Sequence, residues 1–154
     1  MIVGWLLLLF IIVPLGLFLH ELGHGFFAFI RNVSSIHIGI GRGKEIFSFQ
    51  MGRIHVHISL FFFIGAFASY SSEEAFTYMD KIMISLGGPL FSMAAFWLSW
   101  WGFLTIQTNF LFTLMLFNGW LAFINLIPYK VKDKKSDGYT IIEAVIARFF
   151  NKPA

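Results

Sequence analysis

Three long apolar stretches, separated by more polar regions, dominate the pattern of this 154-residue chain. They cover about residues 2–30, 82–106 and 110–127, and the third ends at Pro128. A membrane-spanning helix needs about 20 mostly apolar residues, so each stretch is predicted to be a transmembrane helix. The first would be about 43 Å long, so we expect its C-terminal third near the interface or inside protein, with a kink at Pro14.

A different pattern fills residues 34–70, between the first two predicted helices. Apolar residues alternate with polar or small ones over 36–40 and 54–58, which predicts two or three short strands of a small β-sheet. Residues 60–68 are apolar but too short to span a bilayer, which predicts a re-entrant or interfacial segment. The pattern S-x-x-E from Ser71 to Glu74 then predicts a helix start near Ser71.

The chain after Pro128 is basic and then amphipathic. Residues 130–135 contain four lysines and predict a loop, whereas residues 139–150 have apolar positions at helical spacing. We therefore predict a short C-terminal helix lying on the membrane or on the protein. The predicted fold is a single domain over residues 1–154, an all-α membrane core with a small β-sheet or re-entrant segment between helices one and two.

Composition supports a multi-pass membrane protein and excludes several other classes. The chain is 58% hydrophobic and 12% charged, whereas a soluble domain has about 25% charged residues. The lipid bilayer is therefore its expected surroundings, and a formal charge of +3 gives no reason to expect a nucleic-acid partner. There is no cysteine, which excludes disulfides and thiolate metal sites.

The charges also predict an orientation. All 11 Lys and Arg residues fall within 31–81 or 130–152, regions that three spans place on one side of the membrane. The positive-inside rule makes that side cytoplasmic and puts the N-terminus outside. The aromatic residues agree, with four tryptophans at the outer interface and the four tyrosines on the inner side: Trp5, Trp97, Trp100 and Trp101; Tyr70, Tyr78, Tyr129 and Tyr139. The sparse loops favour a bacterial cell membrane.

An ionisable motif, His20-Glu21-x-x-His24, interrupts the first apolar stretch. Ionisable residues are expensive in hydrocarbon and by default mark a functional site. Histidines four apart lie on one helix face, where both can bind one zinc ion, and Glu21 beside them can act as a general base. A catalytic zinc needs a third protein ligand and an open position. Three carboxylates could supply that ligand: Asp80, Asp133 and Asp137.

Further motifs follow in order: Gly87-Gly88-Pro89 in the second helix, Asn125-x-x-Pro128 at the end of the third, and then Asp137-Gly138. Together with the His20–His24 motif they resemble the site-2 protease family of intramembrane zinc metalloproteases. The resemblance spans nearly all of the chain. It implies a minimal catalytic core without the regulatory domains that family members commonly carry.

The resemblance implies a role for each motif residue. His20, His24 and Asp137 would bind Zn²⁺, Glu21 would be the general base, and Asn125 would hold the substrate backbone or the oxyanion. The substrate would be a transmembrane protein cut in or near its membrane segment, close to the cytoplasmic face. The family usually has a shorter spacer than residues 129–136, so Asp133 stays a second candidate for the third ligand.

Other interpretations of the same residues compete with a protease. A non-catalytic metal-binding membrane protein, such as a transporter or a sensor, would use the same ligands, and a structural subunit would bind no stoichiometric zinc. The second and third spans have few polar residues, which argues against a transporter. His55 and His57 lie on one strand face and could bind a metal, but a structural role is favoured for them and for His37. We assign the holding of extended substrate to the sheet within residues 36–60.

Overall fold

A computed structural model describes residues 2–150 of the chain. It contains three helices long and apolar enough to span a membrane: α1 (Ile2–Ile30), α2 (Tyr78–Ile106) and α3 (Asn109–Leu126). A two-stranded sheet lies between α1 and α2, and a final helix, α4 (Asp137–Phe150), follows α3. The predicted class, three transmembrane helices with a small sheet and a C-terminal helix, is confirmed.

The first helix changes its winding just before Pro14. Residues Leu8–Ile12 form a π-helical turn, and the N–H of Val13 bonds to the carbonyl of Leu8, five residues back. Proline has no N–H, and its ring collides with the carbonyl four residues earlier in a regular helix. A wider turn relieves this conflict, so the disturbance expected at Pro14 takes the form of a π-bulge.

The second helix begins later than predicted. Thr77 caps it by accepting a hydrogen bond from the Asp80 N–H, and the Asp80 carboxylate accepts one from the Thr77 N–H. The predicted start near Ser71 is wrong, because Ser71 is the last residue of a strand and is held opposite Ser35. The capping box is therefore formed by the next suitable pair after the chain leaves the sheet.

The sheet consists of β1 (Ser35–Met51) and β2 (Ile54–Ser71), and both strands double back on themselves. Residues 36–40 pair antiparallel with 66–70 on one side. On the other side they lie opposite 54–58 in parallel order, with Ile36 opposite Ile54 and Ile40 opposite Ile58. Residues 47–51 then pair antiparallel with 54–58. The chain reverses near glycines with positive φ, among them Gly41 at 87° and Gly65 at 79°. The stretch 66–70 thus lies at an edge of the sheet.

Residues 60–68 were predicted to form a re-entrant or interfacial segment, and they belong to β2, so they are a strand and not a re-entrant segment. The rings of Phe62 and Phe63 lie 6.0 and 5.1 Å from that of Phe10 in α1, so the sheet extends alongside the first helix. An apolar run of this length does not distinguish a strand from a buried helical segment, and its aromatic residues favour a strand.

The core forms where α1, α2 and the sheet meet, around Ala28, Ile36, Ile38 and Ile84. Nearby, α1 and α2 approach each other at Gly23 and Gly87. A Cβ atom added to either glycine would collide with the backbone carbonyl of the other. Small residues allow such close packing of membrane helices, and here they bring the His20–His24 turn of α1 against the Gly87–Pro89 region of α2.

The basic segment after α3 is a small hairpin rather than the predicted loop. Its strands are β3 (Lys130–Val131) and β4 (Lys134–Lys135), with Lys130 opposite Lys135. The predicted C-terminal helix is present as α4 and begins at Asp137, two residues earlier than expected. Its exposed apolar side chains include Ile142, Ile146 and Phe149, as expected for a helix that lies on a membrane.

Candidate metal centre

Two histidines of α1 and one carboxylate of α4 converge in the structure. The Nε2 atom of His20 lies 3.1 Å from Oδ2 of Asp137, and the Nε2 atom of His24 lies 3.4 Å from Oδ1. His20 and His24 are 4% and 8% exposed. Among residues 2–150, these three are the group of His and acidic side chains whose ligand atoms all lie within 4.8 Å of one another.

The ring of His24 is oriented by the backbone of α2. Its Nδ1 atom lies 2.7 Å from the carbonyl oxygen of Ile84, which can only accept a hydrogen bond. Nδ1 therefore carries the proton, and the longer 3.3 Å approach of the Gly88 N–H to the same atom is secondary. A neutral imidazole protonated at Nδ1 has its lone pair on Nε2, which faces Asp137.

The ring of His20 is oriented by Ser92. Its Nδ1 atom lies 2.9 Å from Oγ of Ser92, which is fully buried in α2. Metal-binding histidines almost always use their second ring nitrogen in such a contact, which fixes the tautomer and the ring plane. Both histidines therefore have a second partner on α2 and direct Nε2 to the same point.

Asp137 is placed by its neighbours in sequence. The hydroxyl of Ser136 accepts the N–H of Tyr139 at 3.1 Å, which caps the N-terminus of α4. A Cβ atom at Gly138 would overlap the carbonyl of Leu126, so only glycine lets α4 pack this closely against the end of α3. The Asp-Gly pair thus fixes the start of α4, and Asp137, beneath the two histidines.

The long spacer after Pro128 is closed at its base and so does not displace Asp137. The N–H of Tyr129 donates to Oγ of Ser136 at 3.0 Å, and the N–H of Ser136 donates to the carbonyl of Tyr129 at 3.0 Å. Ser136 also donates to the carbonyl of Ile127 at 2.7 Å. The spacer therefore projects as a hairpin from two adjacent ends.

Gly88 leaves the space that an ion would need. A Cβ atom at this position would collide with Nε2 of His24 and would lie 2.6 Å from Nε2 of His20. The donor set of two imidazole nitrogens and one carboxylate suits zinc, which prefers such ligands in tetrahedral geometry. Ring orientation, donor chemistry and the open space at Gly88 all fit a bound divalent metal.

A cavity of about 380 Å³ opens beside these ligands. Glu21 and Asn125 line it, and so does the sheet edge at Ala66–Tyr70. Asn125 donates from Nδ2 to the carbonyl of Leu121 at 2.9 Å, which leaves its second N–H free for another acceptor. Burial raises the pKa of the Tyr70 hydroxyl, so this phenol stays protonated at neutral pH and can donate a hydrogen bond.

The other residues considered from the sequence lie elsewhere. Asp80 pairs with Arg31 at 2.7 Å, and Asp133 is exposed at the turn of the basic hairpin. The rings of His37 and His55 stack on each other in the sheet, with centroids 4.5 Å apart, and that of His57 lies 5.4 Å from the Phe67 ring. None of these side chains reaches the group of His20, His24 and Asp137.

Sequence reasoning missed Ser92, Ser136 and Tyr70. Ser136 carries a readable signal, since a serine directly before a helical segment is a preferred cap. Ser92 and Tyr70 are ordinary residues of their elements, and only the packing of α2 and β2 against α1 brings them to the site.

Comparison with protein families decides the classification. The family model described as Peptidase family M50 matches residues 6–109, about two thirds of the chain. The chain belongs to peptidase family M50. This is the site-2 protease family, so this M50 protein is an integral membrane protein of a metalloprotease family. A comparison with curated proteins finds no match.

The M50 match covers only part of the candidate centre. It includes His20, Glu21, His24 and Gly88, but it ends before Asn125 and Asp137. The geometry described above therefore links Asp137 to the matched region through contacts that the family comparison does not include.

Gly88→Ala is expected to weaken metal binding strongly in this M50 protein. The added methyl group would occupy the space between the two Nε2 atoms, and we expect zinc affinity to fall at least about 100-fold. Zinc titration of the purified protein measures this. The control is Gly102→Ala in the same helix, where the new Cβ meets a flexible Leu111 side chain at 3.3 Å. Equal affinity of Gly88→Ala and wild type would contradict the assigned ion position.

Proposed function

We propose that this M50 protein is an intramembrane zinc endopeptidase. The observation that supports this best is the convergence of His20, His24 and Asp137 beside one cavity that Glu21 also lines. Such a cavity combines a three-ligand metal site with a general base. A storage or sensing site would need the ligands but not a carboxylate placed beside them.

The three ligands would hold Zn²⁺ through Nε2 of His20, Nε2 of His24 and the carboxylate of Asp137. Three protein ligands leave the fourth position open, as a catalytic zinc requires. When bound, zinc lowers the pKa of water to about 7 and polarises a carbonyl group. His20 and His24 are held for this by Ser92 and by the Ile84 carbonyl.

Glu21 would move the proton in the reaction. Its carboxylate accepts a proton from the attacking water as the new C–O bond forms at the scissile carbonyl. The same carboxyl group then gives that proton to the amide nitrogen as the C–N bond breaks. The products are a carboxylic acid and an amine, Glu21 returns to its ionised form, and the second proton of the water passes from the new acid to the new amine, which leaves a carboxylate end and an ammonium end.

The sheet edge at Ala66–Tyr70 would hold the substrate in extended form. Residues 66–70 pair with 36–40 on one side only, and no other strand within residues 2–150 pairs with their outer side. A peptide can add to such an edge through backbone hydrogen bonds, which exposes its carbonyls to attack. The sequence led us to expect the substrate against residues 36–60 of the sheet. We place it against Ala66–Tyr70 instead, because this stretch lines the cavity.

Asn125 would contribute a hydrogen bond to the substrate. One N–H of its amide is used by the Leu121 carbonyl, and the second is available to a substrate carbonyl or to the developing oxyanion. The residue also lies at the C-terminal end of α3, where its side chain lines the cavity.

The orientation proposed for this single-domain protein puts its basic regions in the cytoplasm of a bacterial cell. The N-terminus is then outside, and the site lies toward the cytoplasmic side of α1. The substrate is a transmembrane protein, and the bond that is cut lies in or near its membrane segment.

The proposal is tested by incubating the protein with a single-span membrane protein in liposomes and measuring cleavage. We expect two fragments whose new ends lie in or near the span. A zinc chelator should abolish cleavage, and added zinc should restore it. Stoichiometric zinc without cleavage of any span in a panel of single-span proteins would instead favour the non-catalytic transporter or sensor.

Ser92→Ala is expected to weaken zinc binding about 10- to 100-fold, because His20 loses the partner that fixes its ring. Zinc titration measures the affinity, and excess zinc should restore most of the cleavage rate. Ser99→Ala is the matched control, since Ser99 is also buried in α2 but is not among the hydrogen-bond partners of His20 and His24. If both variants bind zinc as the wild type does, Ser92 does not position His20.

A further inference from the structure

The hairpin formed by residues 129–136 is the part of the site region that the proposed mechanism leaves unused. Its tip and strands, residues 130–135, contain four lysines and one aspartate, a net charge of +3 from 4 − 1. Lys130 lies directly opposite Lys135, and Lys132 has a φ of 53° at the turn. This hairpin is disfavoured by like charges that face each other and by a non-glycine residue in the left-handed region. The lysines therefore do not stabilise the hairpin.

The hairpin lines the route to the metal centre. A second cavity of about 670 Å³ lies beneath it, bounded by the hairpin, Ala66 and Asn125. Ala66, Asn125, Lys134 and Lys135 also line the cavity beside Asp137, so the two cavities adjoin. A peptide lying along the sheet edge would continue past Ala66 into this second cavity.

Three of the four lysines have no acidic partner. Lys135 is neutralised by Glu143, with Nζ 2.6 Å from Oε2. Within residues 2–150, no carboxylate lies within 4.0 Å of the amines of Lys130, Lys132 or Lys134. Lys132 and Lys134 line the second cavity, and Lys130 lies next to it in the hairpin. Asp133 is the one acidic residue in the lining, so the wall keeps a net positive charge.

We propose that this basic hairpin selects substrates with acidic residues next to the bond that is cut. The inference rests on the proposed protease function and adds the substrate class. A positive wall beside a partly enclosed cavity attracts carboxylates and repels lysine and arginine. The hairpin borders the cavity that continues from the metal centre, which favours a peptide occupant over a lipid headgroup.

The test uses one single-span substrate in three forms, with acidic, neutral or basic residues flanking the cleavage site. In uncharged detergent, we expect the wild type to cleave the acidic form about 10-fold more efficiently than the neutral one, with the preference shrinking at high salt. Lys130→Gln/Lys132→Gln/Lys134→Gln should remove the preference, and the corresponding glutamate variant should favour the basic form. Lys44→Gln, at an exposed position in β1 away from both cavities, should retain it.

Binding separates this inference from the proposed function. In the Glu21→Gln background, a fluorescent acidic peptide should bind more tightly than the neutral one, and the three-lysine variant should lose the difference. Cleavage by the wild type without any charge preference, in rate or in binding, would overturn the inference and leave the protease standing. A loss of activity confined to anionic liposomes and equal for all three substrates would assign the hairpin to lipid and also overturn it.

Discussion

Glu21→Gln is expected to lower the rate of peptide cleavage by about 10²- to 10⁴-fold while leaving zinc bound. Glutamine has nearly the shape of glutamate but cannot accept the proton of the attacking water. None of the three proposed ligands changes, so the zinc content of the purified variant should equal that of the wild type. The measurements are the single-turnover cleavage rate and the zinc-to-protein ratio.

Glu73→Gln is the control for this substitution, because Glu73 is exposed in the segment between β2 and α2. It should change neither the rate nor the zinc content. A wild-type cleavage rate in Glu21→Gln would show that Glu21 is not the general base. Loss of zinc from this variant would instead make Glu21 a ligand and would require a different base.

Asp137→Ala is expected to remove stoichiometric zinc and, with it, all cleavage. The change deletes a direct ligand, so we expect the affinity to fall by more than the roughly 10- to 100-fold typical when only a residue that orients a ligand is changed. Asp133→Ala is the matched control, since Asp133 is four residues earlier and exposed at the hairpin turn. Its zinc affinity should equal that of the wild type.

This pair of variants also decides between the two candidates that the sequence left open. Loss of zinc in Asp133→Ala but not in Asp137→Ala would show that the hairpin folds onto the histidines in the zinc-bound protein. The contacts of Ser136 with Tyr129 and Tyr139 argue for the opposite result, because they hold Asp137 in place independently of the hairpin turn.

The helical part of the site could be predicted from the sequence because it depends on local geometry. Residues four apart on a helix share a face whatever surrounds them, so His20 and His24 were certain to adjoin if the apolar stretch was a helix. The three spans followed from length and apolarity in the same way. In both cases the deciding contacts lie within a single element.

The rest depends on contacts between distant segments. The spacing from Pro128 to Asp137 did not show that Ser136 would close the spacer into a hairpin. Residues 60–68 joined β2 because β1 was there to pair with them, a fact that an apolar run does not contain. The capping box of α2 forms at Thr77 and not at Ser71, because pairing with Ser35 holds Ser71 in the sheet.

X-ray absorption at the zinc edge of the purified protein tests the central claim most directly, because it reports the atoms around the ion itself. We predict one zinc per chain, bound by two imidazole nitrogens at about 2.0–2.1 Å and by oxygen at about 2.0–2.2 Å. The imidazole signal should weaken in His20→Ala. A protein without zinc, or a zinc ion whose spectrum contains no imidazole contribution, would contradict the account.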